Sequence, residues 1–246
     1  MSLIVTVHVN EGIVMASDSR TTHNRIEKIP SEQEGFEETT VEQYGVYFTD
    51  TAYKTFLFDN GIGLSTCGNA IIKNAPITGY IEEFIRKNPY MDIDELPQKL
   101  QQHFQELEPT KNTTFFVAGY KKDANSCIAK IYRINTLQKN IDSIDTSAQG
   151  ALWDGERDIL SRMTTELYMR EEDVRGQYVY KKHTEHPIPW LYFTLQDAID
   201  FAQYAIKSTM DAMRFQRRLK TVGGDIDILV IKPDGATWIA RKGLHV

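Results

Sequence analysis

Ser2 is followed at once by the apolar, β-branched run Leu3–Val9. Removal of Met1 would leave a serine whose hydroxyl and α-amine sit on one residue. An α-amino group has a reference pKa of about 8, roughly two units below lysine, so near physiological pH it is partly neutral and can accept a proton. One residue can then supply both nucleophile and general base, the arrangement known for N-terminal threonine. A small residue after Met is also common without any chemistry, so Ser2 alone leaves both readings open. The next polar cluster is Asp18-Ser19-Arg20-Thr21, at the end of the apolar run 13–17. Asn10-Glu11-Gly12 is a tight-turn signal, which makes the two runs a hairpin. A hairpin returns position 18 to the neighbourhood of the first residues. A carboxylate there can orient an amine or a lysine, and it equally fits an ordinary charged strand end.

Other reactive side chains carry less. His183 and His186 have a metal-compatible spacing, but no third ligand accompanies them and Pro187 bounds the segment; they read as a polar loop. His8 falls within a strand pattern and reads as packed. Cys67 and Cys127 lie in apolar, strand-like runs, and two buried thiols fit a reducing compartment better than a disulfide framework. The apolar run Pro189-Trp190-Leu191-Tyr192-Phe193 reads as core or as a subunit interface, where aromatics are enriched. No glycine-rich phosphate loop of recognisable spacing is present.

The elements that must position these residues follow from periodicity. Strands are expected over 3–9, 13–17, 45–58 and 62–67. A helix is expected from about Ala70, with Asn69 as its N-cap, because apolar residues recur at helical spacing through Ile85. A second helix is expected over 94–107. Strands then return over 113–120, 127–134 and 140–146, followed by a helix over 156–169. Residues 171–193 read as irregular, 195–215 as a long helix, and 225–231 and 236–240 as closing strands. Strands grouped with strands and helices with helices predict a layered α+β fold rather than alternating βαβ units. The polar, acidic stretch 23–43 reads as an exposed loop or insertion.

The opening MSLIVTVHVNEGIVMASDSRTT resembles the N-terminal hairpin of proteasome β-type subunits and HslV-type peptidases. In that pattern a turn glycine comes ten residues after the nucleophile, which sets Gly12 against Ser2, and Asp18 and Arg20 fall on the motif's Asp and Arg. A second anchor is Lys54, followed fourteen residues later by Gly68 through a strand–turn–strand. Lys28 lies nearer Arg20, but only Lys54 has that continuation. A third anchor is Gly223-Gly224 before the strand Asp225 to Ile231. The length and the Met-plus-hydroxyl start are also similar to the bacterial proteasome-related group called Anbu. The resemblance implies a four-layer αββα sandwich of the N-terminal-nucleophile hydrolase class that cleaves peptide or amide bonds. It implies Ser2 as nucleophile with its α-amine as base, and Lys54 as the charge beside Ser2 Oγ. Asp18 would hold Lys54, and the Gly68 N–H would stabilise the oxyanion. It implies no cofactor or metal. The expected partners are a peptide or protein substrate, other copies of the chain in a ring or related assembly, and a separate ATP-driven unfoldase. Three departures stand out. The nucleophile is Ser rather than Thr. The family's Asp and Ser before the Gly-Gly pair are Leu219 and Val222. Its Gly-Ser-Gly segment has only a loose counterpart in Ser147-Ala148-Gln149-Gly150. A non-catalytic scaffold and a small-molecule amidase on the same fold are the rival readings.

Composition sets the remaining bounds. The 246 residues are 41% hydrophobic and 25% charged, enough for one sizeable core, and are read as a single domain with the insertion near 23–43. Acidic residues outnumber basic ones, 34 to 28, for a net charge of −6, which argues against nucleic acid as a partner. The basic run Arg217, Arg218, Lys220 reads as a solvated helix end. No apolar run approaches the ~20 residues of a membrane span. The start lacks the features of a signal peptide, so a cytoplasmic location is expected.

Overall fold

The computed structural model describes residues 2–29, 39–123, 126–164, 168–182 and 187–243. The chain opens with β1 (Leu3–Val9), β2 (Gly12–Ser17), β3 (Thr21–Ile29), β4 (Thr39–Thr49), β5 (Thr55–Leu57) and β6 (Gly63–Gly68). A minimal hairpin, β7 (Ile71–Ile72) and β8 (Ala75–Pro76), leads into helices α1 (Ile77–Lys87) and α2 (Leu96–Leu107). Next come β9 (Thr113–Asp123), β10 (Ser126–Asn135), β11 (Asn140–Ile144) and β12 (Gly150–Gly155). The chain continues through α3 (Asp158–Thr164), β13 (Tyr168–Glu172), β14 (Tyr178–Lys182), α4 (Leu195–Phe215), β15 (Asp227–Lys232) and β16 (Gly235–Ala240).

Two five-stranded antiparallel sheets carry the fold, in the orders β12-β1-β2-β15-β16 and β11-β10-β9-β6-β5. Side chains alternate across a strand, so each sheet has two faces to cover. Leu3, Val5 and Val7 point to one side of β1, where they pack with Ala202, Ala205 and Ile206 of α4 and Leu160 of α3. Ile4 points to the other, where it meets Met15, Leu229 and, from the second sheet, Phe116 and Ile131. The outer face of the second sheet packs Leu64, Phe115 and Val117 on Ile81, Phe84, Leu100 and Phe104 of α1 and α2. The layers are therefore helix, sheet, sheet, helix. A strand buried on both faces needs a near-continuous apolar sequence, and Leu-Ile-Val-Thr-Val-His-Val supplies it. Fully burying each such aliphatic side chain contributes about 1.5–3 kcal/mol. The long helix α4 starts at a capping box: Thr194 Oγ1 accepts from the Asp197 N–H, and the Asp197 carboxylate accepts from the Thr194 N–H.

Several local expectations are corrected. Much of the stretch read as a loop at 23–43 belongs to the antiparallel ribbon β3–β4, paired from Thr21↔Thr49 to Ile29↔Thr39; residues 30–38 lie outside the described residues. The strand expected over 45–58 is interrupted at 50–54. The helix near Ala70 begins only at Ile77, with Pro76 rather than Asn69 at its start. The residues between form the β7–β8 hairpin, whose turn residues Lys73 and Asn74 both have positive φ (45° and 62°), as a two-residue primed turn requires. Of the helix expected over 156–169, Asp158–Thr164 is helical and residues 165–167 lie outside the described residues; Tyr168 opens a second ribbon that takes in part of the supposedly irregular segment. Cys127 is exposed rather than buried. The basic run is not simply solvated, because Arg218 is half-buried against Glu156 and Asp158. His183 and His186 lie outside the described residues.

Candidate active site

The two sheets end together at one edge of the sandwich. There β1 and β15 begin, β2 and β12 stop, and on the second sheet β5 begins and β6 stops. The register puts Ile4 opposite Ser17, Ser17 opposite Asp227, and Leu3 opposite Gly155. Ser2, Asp18, Lys54 and Gly68 all lie at this edge.

Asp18 is fully buried and its carboxylate is saturated with donors. Oδ1 accepts from the Leu3 N–H at 3.0 Å and from Lys54 Nζ at 2.7 Å. Oδ2 accepts from the Arg20 N–H at 3.1 Å and the Gly223 N–H at 3.0 Å. Lys54 Nζ also donates to the Arg20 carbonyl at 2.5 Å. Burial holds the Lys54 ammonium below the ordinary lysine range, and the Asp18 charge opposes that shift. The arrangement is a buried ion pair clamped between the hairpin end and the Gly223 loop. Arg20 reinforces the loop geometry through a bidentate pair with Asp50, both contacts at 2.7 Å.

Ser2 is 6% exposed and lines a cavity of about 400 Å³ together with Lys54, Thr66, Cys67, Gly68 and Tyr53. Asp18 sits behind this wall. The Thr66 N–H bonds the Lys54 carbonyl at 2.8 Å, and the Asn69 N–H bonds the Asn112 carbonyl at 3.1 Å. Successive N–H groups alternate between the two edges of a strand. The Gly68 N–H is therefore directed to the Lys54 side of β6, where the cavity lies. Position 68 must be glycine for two reasons: its φ is +102°, and a Cβ would sit 2.5 Å from the Asn112 carbonyl oxygen. Thr66 Oγ1 is buried without a hydrogen-bond partner among the described residues. Burial pushes the Cys67 thiol well above its ordinary range, which disfavours the thiolate a nucleophilic cysteine needs.

The sequence reading missed the strand that packs on the Ser2 backbone. β12 ends on Ser2: the Glu156 N–H donates to the Ser2 carbonyl at 2.8 Å. Gly155 has φ +96°, and a Cβ there would lie 1.9 Å from the Ser2 carbonyl oxygen, so only glycine allows this approach. The Glu156 carboxylate is buried and accepts from Thr221 Oγ1 at 2.7 Å and Arg218 Nη1 at 2.9 Å. The segment Ser147-Ala148-Gln149-Gly150 is at the wrong end. Gly150 pairs with His8, roughly 16 Å along β1 from the Ser2 end at about 3.3 Å per residue. The signal for Gly155-Glu156 was a glycine directly before a helix start, which nothing local tied to Ser2.

No protein-family model and no curated protein matches the chain. Solved structures do. One is an Anbu mutant from Hyphomicrobium sp. strain MC1, with a TM-score of 0.57 at 14% identity, over 98% of this chain and 86% of that one. Another is Anbu, an ancestral beta-subunit, from Yersinia bercovieri, with a TM-score of 0.55 at 14% identity, over 96% of this chain and 86% of that one. The architecture is thus a four-layer α+β sandwich shared with these solved structures. Among the proteins whose fold the chain shares are these Anbu proteins.

Proposed function

We propose that the chain is an N-terminal-nucleophile hydrolase of the proteasome type that cleaves peptide or amide bonds from Ser2 after removal of Met1. The observation that carries this reading is the buried Asp18–Lys54 pair, 2.7 Å long, with Lys54 in the wall of the cavity that Ser2 and Gly68 also line. Ser2 Oγ attacks the substrate carbonyl carbon, and its proton passes to the α-amine of the same residue. The oxyanion is held by the Gly68 N–H; loss of one such donor raises the barrier by about 2.7–4 kcal/mol. The C–N bond breaks, the leaving amine takes the proton, and an acyl ester remains on Ser2. Water, deprotonated by the α-amine, then releases the carboxylate and regenerates the hydroxyl. Lys54 keeps positive charge beside the oxygen throughout, and Asp18 keeps Lys54 in place.

By the same reading the chain works in the cytoplasm as a homo-oligomer, a ring or related assembly, on peptide or protein substrates. Among the described residues no helix is long and apolar enough to cross a membrane. A separate ATP-driven unfoldase delivers folded substrates. One observation favours a second reading, a non-catalytic scaffold: Val222, where the family has a hydrogen-bonding Ser, is buried in the core. The test is the intact mass of protein with Met1 removed, before and after a β-lactone probe. One adduct on Ser2, absent in Ser2→Ala and Lys54→Ala, supports the hydrolase. No adduct on the wild-type chain leaves the scaffold. Hydrolysis of extended peptides but not of small amides then separates a peptidase from an amidase.

A further inference from the structure

The hydrogen bonds around the start of β1 close on themselves. The Ser2 carbonyl accepts from the Glu156 N–H, and the Glu156 carboxylate accepts from Thr221 Oγ1. Two residues beyond Thr221, the Gly223 N–H donates to Asp18 Oδ2. Asp18 Oδ1 in turn accepts from the N–H of Leu3, the residue after Ser2. Arg218 braces the ring from outside, donating to Glu156 at 2.9 Å and to Asp158 at 3.1 Å. In this ring Glu156 joins the Ser2 backbone to the loop that holds Asp18, its main-chain N–H donating to the Ser2 carbonyl and its carboxylate accepting from Thr221 Oγ1. Leu219 and Val222, the positions where the proteasome pattern has polar side chains near the N-terminus, offer no hydrogen bond of their own.

We propose that Glu156, fixed by Thr221 and Arg218, is the positioning residue that sets Ser2 against Lys54 and Gly68, in the place of the missing polar side chains at 219 and 222. The proposal rests on the hydrolase reading above. Glu156 touches neither substrate nor the reacting oxygen; it acts through the Ser2 backbone. Its carboxylate is buried, paired with Arg218 and not among the residues that line the cavity, so its effect falls on the geometry of attack and not on binding. Displacing a nucleophile by about 1 Å is enough to slow attack by on the order of 100-fold.

The experiment is saturation kinetics of Ser2 acylation by a β-lactone, followed by intact mass, on protein with Met1 removed. Glu156→Ala is expected to lower the maximal acylation rate by about 100-fold and to leave the half-saturating probe concentration within about twofold. Glu156→Gln, which keeps the shape and an acceptor for Thr221, should restore most of the rate. Thr221→Val, which keeps the Glu156–Arg218 pair, should fall between them, and it stands in if Glu156→Ala does not fold. Wild-type rates in folded Glu156→Ala or Thr221→Val would overturn the proposal while leaving the hydrolase reading intact. A loss confined to the half-saturating concentration would overturn it as well. Absence of labelling in the wild-type chain, or full labelling in Lys54→Ala, would overturn the hydrolase reading and this proposal with it.

Discussion

Replacing Lys54 with Met removes the cation from a pair whose other member, Asp18, is fully buried. Removing one partner of a buried pair costs about 3–5 kcal/mol, because an uncompensated charge is left behind. Asp18 keeps three backbone donors, from Leu3, Arg20 and Gly223, which places Lys54→Met at the low end, about 3 kcal/mol. For a chain of 246 residues, each kcal/mol moves Tm by about 2–4 °C, so a drop of about 6–12 °C is expected. Asp18→Asn should be worse. Whichever way the amide is turned, its NH₂ faces N–H donors: Leu3 and Lys54 on one side, Arg20 and Gly223 on the other. The assay is thermal unfolding of both single variants and the double variant, read as a double-mutant cycle. Expected is a larger loss for Asp18→Asn than for Lys54→Met, with a double variant less destabilised than the sum. A Tm drop under about 2 °C for Lys54→Met, or the reverse order of the two single variants, would refute the reasoning.

Two further outcomes follow from the same structure. Gly68→Ala forces a non-glycine residue to φ +102° and puts a methyl 2.5 Å from the Asn112 carbonyl oxygen; backbone strain alone costs about 1–3 kcal/mol, and an unchanged Tm with undiminished Ser2 labelling would show that the loop relaxes freely. Burial holds the half-buried His8 imidazole below its ordinary pKa, and its Nδ1 has no partner among the described residues. With the folded pKa below the unfolded one, the neutral form's stability is fully present above about pH 6.5 and is lost as pH falls through the folded value. His8→Asn should therefore lose less Tm than the wild type between pH 7.5 and 5; parallel losses would remove His8 from the account.

Local pattern was enough where a segment's own residues decide its state. The β1–β2 hairpin, the helix Leu195–Phe215 and the closing strands were legible because apolar period, turn residues and caps agree. Hairpin geometry by itself pointed to Asp18, whereas Lys54 and Gly68 were singled out only by the resemblance to the proteasome-type pattern. Local pattern failed where local signals conflict with tertiary partners. Ile71, Ala75 and Ile77 mimic a helical stripe, yet the positive φ of Lys73 and Asn74 turns the chain back as a hairpin. Cys127 has strand neighbours, but the end of β10 on which it sits is uncovered, so its burial depended on what packs there.

What only the tertiary structure decided was the pairing of β12 with β1, between residues some 150 positions apart in the sequence. Such a pairing is chosen by which strand edges remain open once both sheets have packed, and no window of sequence contains that information. It is this pairing that brings Gly155 and Glu156 onto Ser2. The sequence by itself determined the fold class and the residue types at the sheet edge. The assembled sandwich decided which backbone presses on Ser2, because only packing sets distances between residues that the chain keeps far apart.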